Sequence, residues 1–300
     1  MFITKDSSIC NFADDNTIYC SGNDIYDINR TLNKEVSLFL TWFQNNQLVA
    51  NPVKCQLLYL GFSCSDIKAL PKLMLDDIEL LPKSSVKLLG VILDNKLNFN
   101  EHIKNICKVS SRNTNCLARI RKHINIKQSK LLYNAYIKSA FGYAPLVWMF
   151  CQKVSYKTIE NIQKRALRLV FLEQDKSLNE LCNLHKEMSI HNMHLCSLAV
   201  EIFKIFLNLN QSFMSELFIR KEQRYNLRIS NLLKLPRAKT SKYGTFSVFF
   251  QGCLFWNSLP DHVKSMINVT AFKKKFGKYT GISKFNIPGF LHVLCSVGFA

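Results

Sequence analysis

The chain has 300 residues, with 40 Lys and Arg against 21 Asp and Glu, a formal net charge of +19, and 48% hydrophobic residues. So much apolar content excludes a disordered tail, and 11 scattered cysteines, an odd number, exclude a disulfide-knit miniprotein. No charge-free apolar run reaches the ~18 residues of a membrane span.

In chain order, residues 7–12 and 16–20 (SSICNF, NTIYC) predict two short strands around a tight turn, Ala13-Asp14-Asp15. A helix is expected over Asp24–Gln47, where Ile28, Leu32, Val36, Phe39, Leu40 and Phe43 recur at helical spacing. Asn51-Pro52 ends it, because the residue before proline avoids the helical basin. Cys55–Leu60 is a continuous apolar strand candidate, and Leu73–Leu81 and Lys87–Leu93 are two more. Asp76-Asp77, between Leu75 and Ile78, reads as a hairpin turn. From Asn100, a plausible N-cap with Glu101 in the first turn, a long helix is expected to about His123. Further helices are expected at Ile126–Phe141, Tyr156–Phe171, His191–Leu209 and Ser265–Tyr279. Residues 243–256 (YGTFSVFFQGCLFW) fit a strand pair or a short helix. The fold class is therefore α+β, with mixed structure over 1–100 and helices beyond. Candidate boundaries lie near Asn100 and near Glu173–Lys176.

The charge is divided unevenly. Residues 1–100 carry 9 basic and 11 acidic residues, and residues 101–300 carry 31 and 10. A positive block of this kind suits a polyanion, with nucleic acid ahead of an anionic membrane; the plainer reading is a lysine-rich solvated surface. The start, MFITKDSSICNFADD, has neither an apolar core nor a cleavage site, so no signal peptide is expected. The scattered cysteines fit a reducing, intracellular setting, nucleus or cytoplasm, with no secretion and no disulfide-linked partner.

The sharpest chemical feature is Phe12-Ala13-Asp14-Asp15 between two apolar strands. Adjacent carboxylates on a tight turn repel unless cations offset them. Magnesium takes carboxylate oxygens and keeps waters for a phosphate substrate. Two such ions ~3.5–4 Å apart activate an attacking hydroxyl and stabilise a leaving oxyanion. An Asp-Asp pair alone is weak evidence, since Asp is a common turn residue.

FADDNTIY at 12–19 resembles the catalytic hairpin of reverse transcriptases from non-LTR (LINE-type, jockey- and CR1-like) retrotransposons. The likeness continues in order. WFQNNQLVANPVKCQLLYLG at 42–61 resembles the next palm motif, and VKLLGVILDNKLNFNEHI at 86–103 the primer-gripping hairpin that leads into the thumb. LLYNAYIKSAFGYAPLVW at 131–148 and IQKRALRLV at 162–170 are similar to the helical region that follows. YNLR at 225–228 and WNSLP at 256–260 look like the C-terminal part of the same polyprotein. The resemblance covers roughly residues 7–279 and implies the end of a polymerase palm over 1–100 and a helical thumb over 101–172. A mainly helical C-terminal region over 173–282 and a divergent tail over 283–300 would follow.

By this resemblance Asp14 is a metal ligand of a two-magnesium (Mg2+) polymerase site and Asp15 its neighbour. Lys54 matches a palm lysine that protonates the pyrophosphate leaving group, a role suited to a cationic proton donor; read alone, it is a solvated lysine after a turn. The partners implied for a full-length enzyme are an RNA template, a DNA primer and a dNTP. Two departures stand out. The chain begins eleven residues before Phe12, and no upstream strand supplies the further catalytic Asp and the fingers; Asp6 lies too close to the hairpin. Residues 281–300 are apolar and lack the family's usual ending. The expectation is a C-terminal half of such an enzyme, inactive alone. A non-catalytic nucleic-acid-binding module and a remnant without function are the alternatives.

Lys104, Lys108, Arg112, Arg119, Arg121, Lys122, Lys127 and Lys130 fill one stretch with little acid nearby. If helical, Lys104, Lys108, Arg112 and Arg119 share much of one side. A thumb helix would lay such residues along duplex phosphates, without reading bases. Lys273–Lys275 with Lys278 repeat the pattern. His185, His191, His194 and Cys196 fit no common zinc spacing and read as ordinary helix residues. Cys107 and Cys116 read as small buried hydrophobes, and Trp42, Trp148 and Trp256 as core anchors.

Overall fold

Strand-forming residues on either side of a polar corner make the first element of the chain. In a computed structural model, which describes residues 6–62, 64–75, 78–150, 153–209, 212–221 and 232–276, β1 (Ser8–Phe12) and β2 (Asp15–Tyr19) form an antiparallel hairpin. Cα partners run from Ser8↔Tyr19 to Phe12↔Asp15. The turn is thus two residues, Ala13 and Asp14, and Asp15 belongs to the strand rather than to the corner. Ala13 takes φ +52°, the left-handed basin that glycine usually fills. Asp76 and Asp77, YNLR at 225–228, Tyr279 and the tail 283–300 lie outside the described residues.

The chain divides into two units, Met1–Phe99 and Asn100–Ala300. In the first, α1 (Ile25–Asn45) starts at Asp24, whose side chain accepts from the Tyr26 N–H. Its buried face carries Ile25, Asn29 and Val36, packed with Leu57, Tyr59, Leu73 and Leu75. Buried Asn29 donates to the Pro71 carbonyl (3.0 Å) and accepts from the Tyr59 hydroxyl (2.6 Å), so no polar atom of its amide group is wasted in the core. A short helix α2 (Cys64–Lys68) precedes two more hairpins. These are β3 (Leu73–Leu75) with β4 (Ile78–Leu80), and β5 (Ser85–Leu88) with β6 (Val91–Asp94). Leu73–Leu75 and Ile78–Leu80 pair antiparallel on either side of Asp76-Asp77, in keeping with the hairpin turn read there, whereas Lys87–Leu93, expected as one strand, falls in two strands folded back. Gly90, at φ +85°, supports the second fold-back beside Leu89 at +46°.

Cys55–Leu60 is not a strand. It makes a single bridge, Leu57 to Pro82, and Lys83 donates to the Leu57 carbonyl at 2.9 Å. Proline has no N–H, so the ladder stops where it begins. The three hairpins form three separate two-stranded sheets.

The second unit is helical. Its elements are α3 (Asn100–Ile120), α4 (Ile126–Leu132), α5 (Ser139–Gly142), α6 (Pro145–Trp148), α7 (Lys153–Phe171), α8 (Leu178–Leu184), α9 (Ile190–Phe206), α10 (Ser212–Leu217), α11 (Val248–Ser258), α12 (Asp261–Lys264) and α13 (Val269–Phe276). Asn100 opens α3 from within the helix, and its Oδ1 has no hydrogen-bond partner among the described residues, so it is not a side-chain N-cap. The helix expected over Ile126–Phe141 is present but widens to a π-turn at Tyr133–Lys138, where the Tyr136 carbonyl takes the Asn113 side chain at 2.8 Å. Asn125 with Gln128 and Ser177 with Glu180 form reciprocal capping boxes on α4 and α8. Residues 243–256, ambiguous in sequence, resolve largely into α11, capped by Ser247. The helix sought at Ser265–Tyr279 begins only at Val269.

Helix α9 is the centre of this unit, buried at nine positions. Phe203 stacks on Phe272 (4.2 Å) and Phe206 on Trp256 (4.9 Å), tying α9 to α13 and α11. Gly252 lets α11 approach, since a Cβ there would lie 2.9 Å from the Phe218 ring. Gln163 of α7 donates to the Tyr133 hydroxyl and Met188 carbonyl and accepts from the Ile190 N–H. Trp148 and Trp256 are core residues, whereas Trp42 is only half-buried, in a cluster with Phe39 and Phe43. Cys107 is buried, and Cys116 is exposed.

Candidate functional site

Two places hold the chemistry expected from the sequence, one in each unit. In the first, Asp14 occupies the β1–β2 turn and Asp15 begins β2 opposite Phe12. All three are exposed, and the Asn16 side chain donates to the Asp14 carbonyl at 3.2 Å. Lys54 sits in the turn after α1. Its N–H donates to the Asn51 carbonyl, while the Asn51 side chain accepts from Val53 N–H, both at 3.1 Å. The Lys54 side chain is exposed. Among the described residues no hydrogen bond or ion pair joins it to Asp14 or Asp15. Asp6 is occupied elsewhere, paired with Lys34 of α1 at 2.8 Å.

Asp14 and Asp15 offer the carboxylate oxygens that magnesium takes. Two carboxylates and several waters suit one loosely held ion, but a two-ion site needs more donors. Among the described residues no three His, Cys, Asp or Glu side chains converge to hold a metal. The described residues therefore do not by themselves fit a two-ion polymerase centre.

The second place is α3. Its buried side is Ile103, Ile106, Cys107, Ser110, Thr114 and Leu117. Because an α-helix turns ~100° per residue, Lys104, Lys108, Arg112 and Arg119 fall within an arc of about 80° on the opposite side. All four are exposed. None has an acidic partner among the described residues. Lys122 is exposed as well, in the short 3₁₀ turn Arg121–His123 that follows. Such a row can neutralise successive phosphates of a polyanion, and its strength falls with salt.

Arg121 does not belong to that row. It is 8% exposed. Nε donates to the Leu169 carbonyl (2.9 Å), one terminal nitrogen to Val170 (3.0 Å) and the other to Ile124 (2.7 Å). The guanidinium closes the C-terminal end of α7, where unpaired carbonyls and the helix dipole favour a cation. Nothing in the sequence separates it from Arg119 except helical phase, and the change from α- to 3₁₀-helix at residue 121 alters that phase. Lys130 is also committed, at 2.6 Å from Glu187, which Lys138 flanks at 3.4 Å.

A further anchor was not legible in the sequence. Asp94, at the end of β6, accepts from the backbone N–H of Lys96, Asn98 and Phe99 at 3.0, 3.1 and 2.6 Å. It ties down a loop in which Leu97 and Phe99 both have positive φ. The only available signal was an Asp followed by Asn-Lys-Leu-Asn, a turn-rich composition.

The chain is similar to a probable RNA-directed DNA polymerase from transposon BS of Drosophila melanogaster, with 23% identity over 188 residues, or 59% of this chain and 20% of that protein. The chain thus spans about a fifth of the length of that relative. No protein-family profile matches the chain, and no solved structure matches it. The similarity supports a distant relationship to reverse-transcriptase-like proteins of transposons. No helix among the described residues is long and apolar enough to cross a membrane.

Proposed function

We propose that this chain is a portion of an RNA-directed DNA polymerase of a non-LTR retrotransposon, and that its own contribution is to hold an RNA–DNA duplex rather than to catalyse nucleotide addition. The observation that carries the binding half is the row of four exposed cations on α3, none with an acidic partner among the described residues, backed by a helical face buried in its own unit. The ordered motifs from FADD onward and the distant transposon relative support the polymerase origin. Asp14 and Asp15 keep the place of metal-facing residues in an assembled palm, with Lys54 beside the leaving pyrophosphate; these roles belong to the larger enzyme.

Binding is tested by titrating the full chain onto an RNA–DNA heteroduplex across a salt series. The logarithm of affinity is expected to fall linearly with the logarithm of salt. Affinity that does not change with salt would contradict phosphate contacts. Primer extension on an RNA template by the same protein, abolished by Asp14→Ala, would overturn the non-catalytic half of the proposal.

A further inference from the structure

Helix α9 packs against α5, α6 and α7 through a cluster of rings that includes three histidines. His194 is fully buried. Its Nε2 lies 2.7 Å from the Phe141 carbonyl. A carbonyl only accepts, so Nε2 carries the proton and Nδ1 is left with a bare lone pair. That Nδ1 is buried and has no hydrogen-bond partner among the described residues. The ring meets Trp148 of α6 edge-on at 4.9 Å and Tyr156 of α7 at 6.4 Å. His102 of α3 lies 6.0 Å from Trp148, and His191 lies 5.4 Å from Tyr156.

We propose that the seat of α9 on Trp148 and Phe141 is an acid-released latch: a second proton on His194 dislodges α9 and opens the helical unit there first. The added N–H would find no acceptor, and the charge would sit among aromatic rings away from water. A cation–π contact with Trp148 offsets only part of that cost.

Among the described residues no carboxylate acts on His194, and His191 is the charged group that does. Helices α5, α6 and α11 contain no acidic or basic residue, and α13 contains only lysines. On α3 the one carboxylate is Glu101, which is exposed; on α9 it is Glu201, paired with Lys204 at 2.6 Å. On α7 it is Glu160, which has Lys157 and Lys164 as its charged neighbours. The other groups that titrate around His194 are His102, His191 and Tyr156. Burial outweighs the hydrogen bond to the Phe141 carbonyl, which favours the charged ring, and with repulsion from His191 it holds His194 at about 4 against an ordinary 6.5; burial lowers His102 too. The unfolded chain takes up the proton first as pH falls. The stabilising preference for neutral His194 is therefore complete above pH ~6.5 and is lost progressively toward pH ~4.

The test has two parts, both on the full chain. Urea unfolding at pH 7 and pH 5 is compared for the native protein and His194→Gln, whose amide can still donate to the Phe141 carbonyl. Other titrating groups act on both proteins, so the difference isolates His194. The native folding constant is expected to drop roughly twentyfold more than that of the variant. Equal drops overturn the latch. The second part needs no variant and uses hydrogen–deuterium exchange read by mass spectrometry. Exchange at the imidazole carbons is expected to give His194 a pKa far below the ordinary histidine value of 6.5. Corrected for intrinsic rates, the amides of 190–206 are expected to lose protection at pH 5 before those of α3. A His194 value near 6.5, or loss of protection in α3 first, overturns the proposal.

Discussion

Replacing Arg121 by methionine separates structure from binding on the same stretch of basic residues. Methionine keeps most of the apolar stem and removes the guanidinium. The lost contacts are hydrogen bonds of 2.9, 2.7 and 3.0 Å to the carbonyls of Leu169, Ile124 and Val170. A hydrogen bond to a charged group contributes ~1.5–3 kcal/mol, and a cation at a helix C-terminus ~0.3–2 kcal/mol. The terms are not additive, and carbonyls at a helix end recover some water once the side chain is gone. The expected net loss is about 3 kcal/mol. Urea unfolding should show it as a lower midpoint with an unchanged slope. Heteroduplex binding under folded conditions should keep its native salt dependence. Arg119→Gln should do the reverse, leaving stability within ~0.5 kcal/mol and reducing the salt slope by ~0.9. If Arg121→Met leaves stability unchanged and lowers the salt slope, the assignment of Arg121 to the end of α7 is wrong.

Three further outcomes follow from local geometry. Gly252→Ala places a methyl group 2.9 Å from the buried Phe218 ring, and thermal unfolding should reveal a loss of ~1–3 kcal/mol. Asp94→Ala strips three backbone N–H groups of their acceptor; it should destabilise the first unit by about 2 kcal/mol in a urea series while the helical unit unfolds at its usual midpoint. Burial pushes the thiols of Cys107, Cys182, Cys196 and Cys253 up to about 11, so iodoacetamide at pH 8 should label the exposed Cys10 and Cys116 first. Rapid labelling of Cys107 and Cys253, the two of these that are buried, in folded protein would contradict the packing.

The helical elements were readable because apolar residues recur at three and four; on α3 and α9 these are largely the buried ones, whereas of the six read on α1 only Val36 is buried, alongside Ile25 and the polar Asn29 and Glu35. The Asp14–Asp15 hairpin was readable for a similar reason, with β-forming residues on both sides of a polar corner. What stayed hidden depended on partners distant in sequence. Cys55–Leu60 has the composition of a buried strand, but its one bridge is to Pro82, a neighbour that lacks the N–H a ladder needs. Arg121 differs from Arg119 by a change of helix type rather than by any residue in its vicinity. Residues 243–256 are apolar on all sides, so periodicity had nothing to report until burial against Ile202 and Phe218 chose a helix. His194 looked ordinary because its meaning lies in the Phe141 carbonyl, 53 residues away.

The row on α3 is tested most directly by neutralising it as a unit. In the full chain carrying Lys104→Gln, Lys108→Gln, Arg112→Gln and Arg119→Gln, the salt dependence of RNA–DNA heteroduplex binding is measured beside the native protein, with circular dichroism confirming equal helix content. The slope of log affinity against log salt is expected to fall by about 3 to 4, with affinity at low salt reduced by orders of magnitude. A folded variant that binds with the native affinity and the native slope would contradict the assignment of duplex binding to α3.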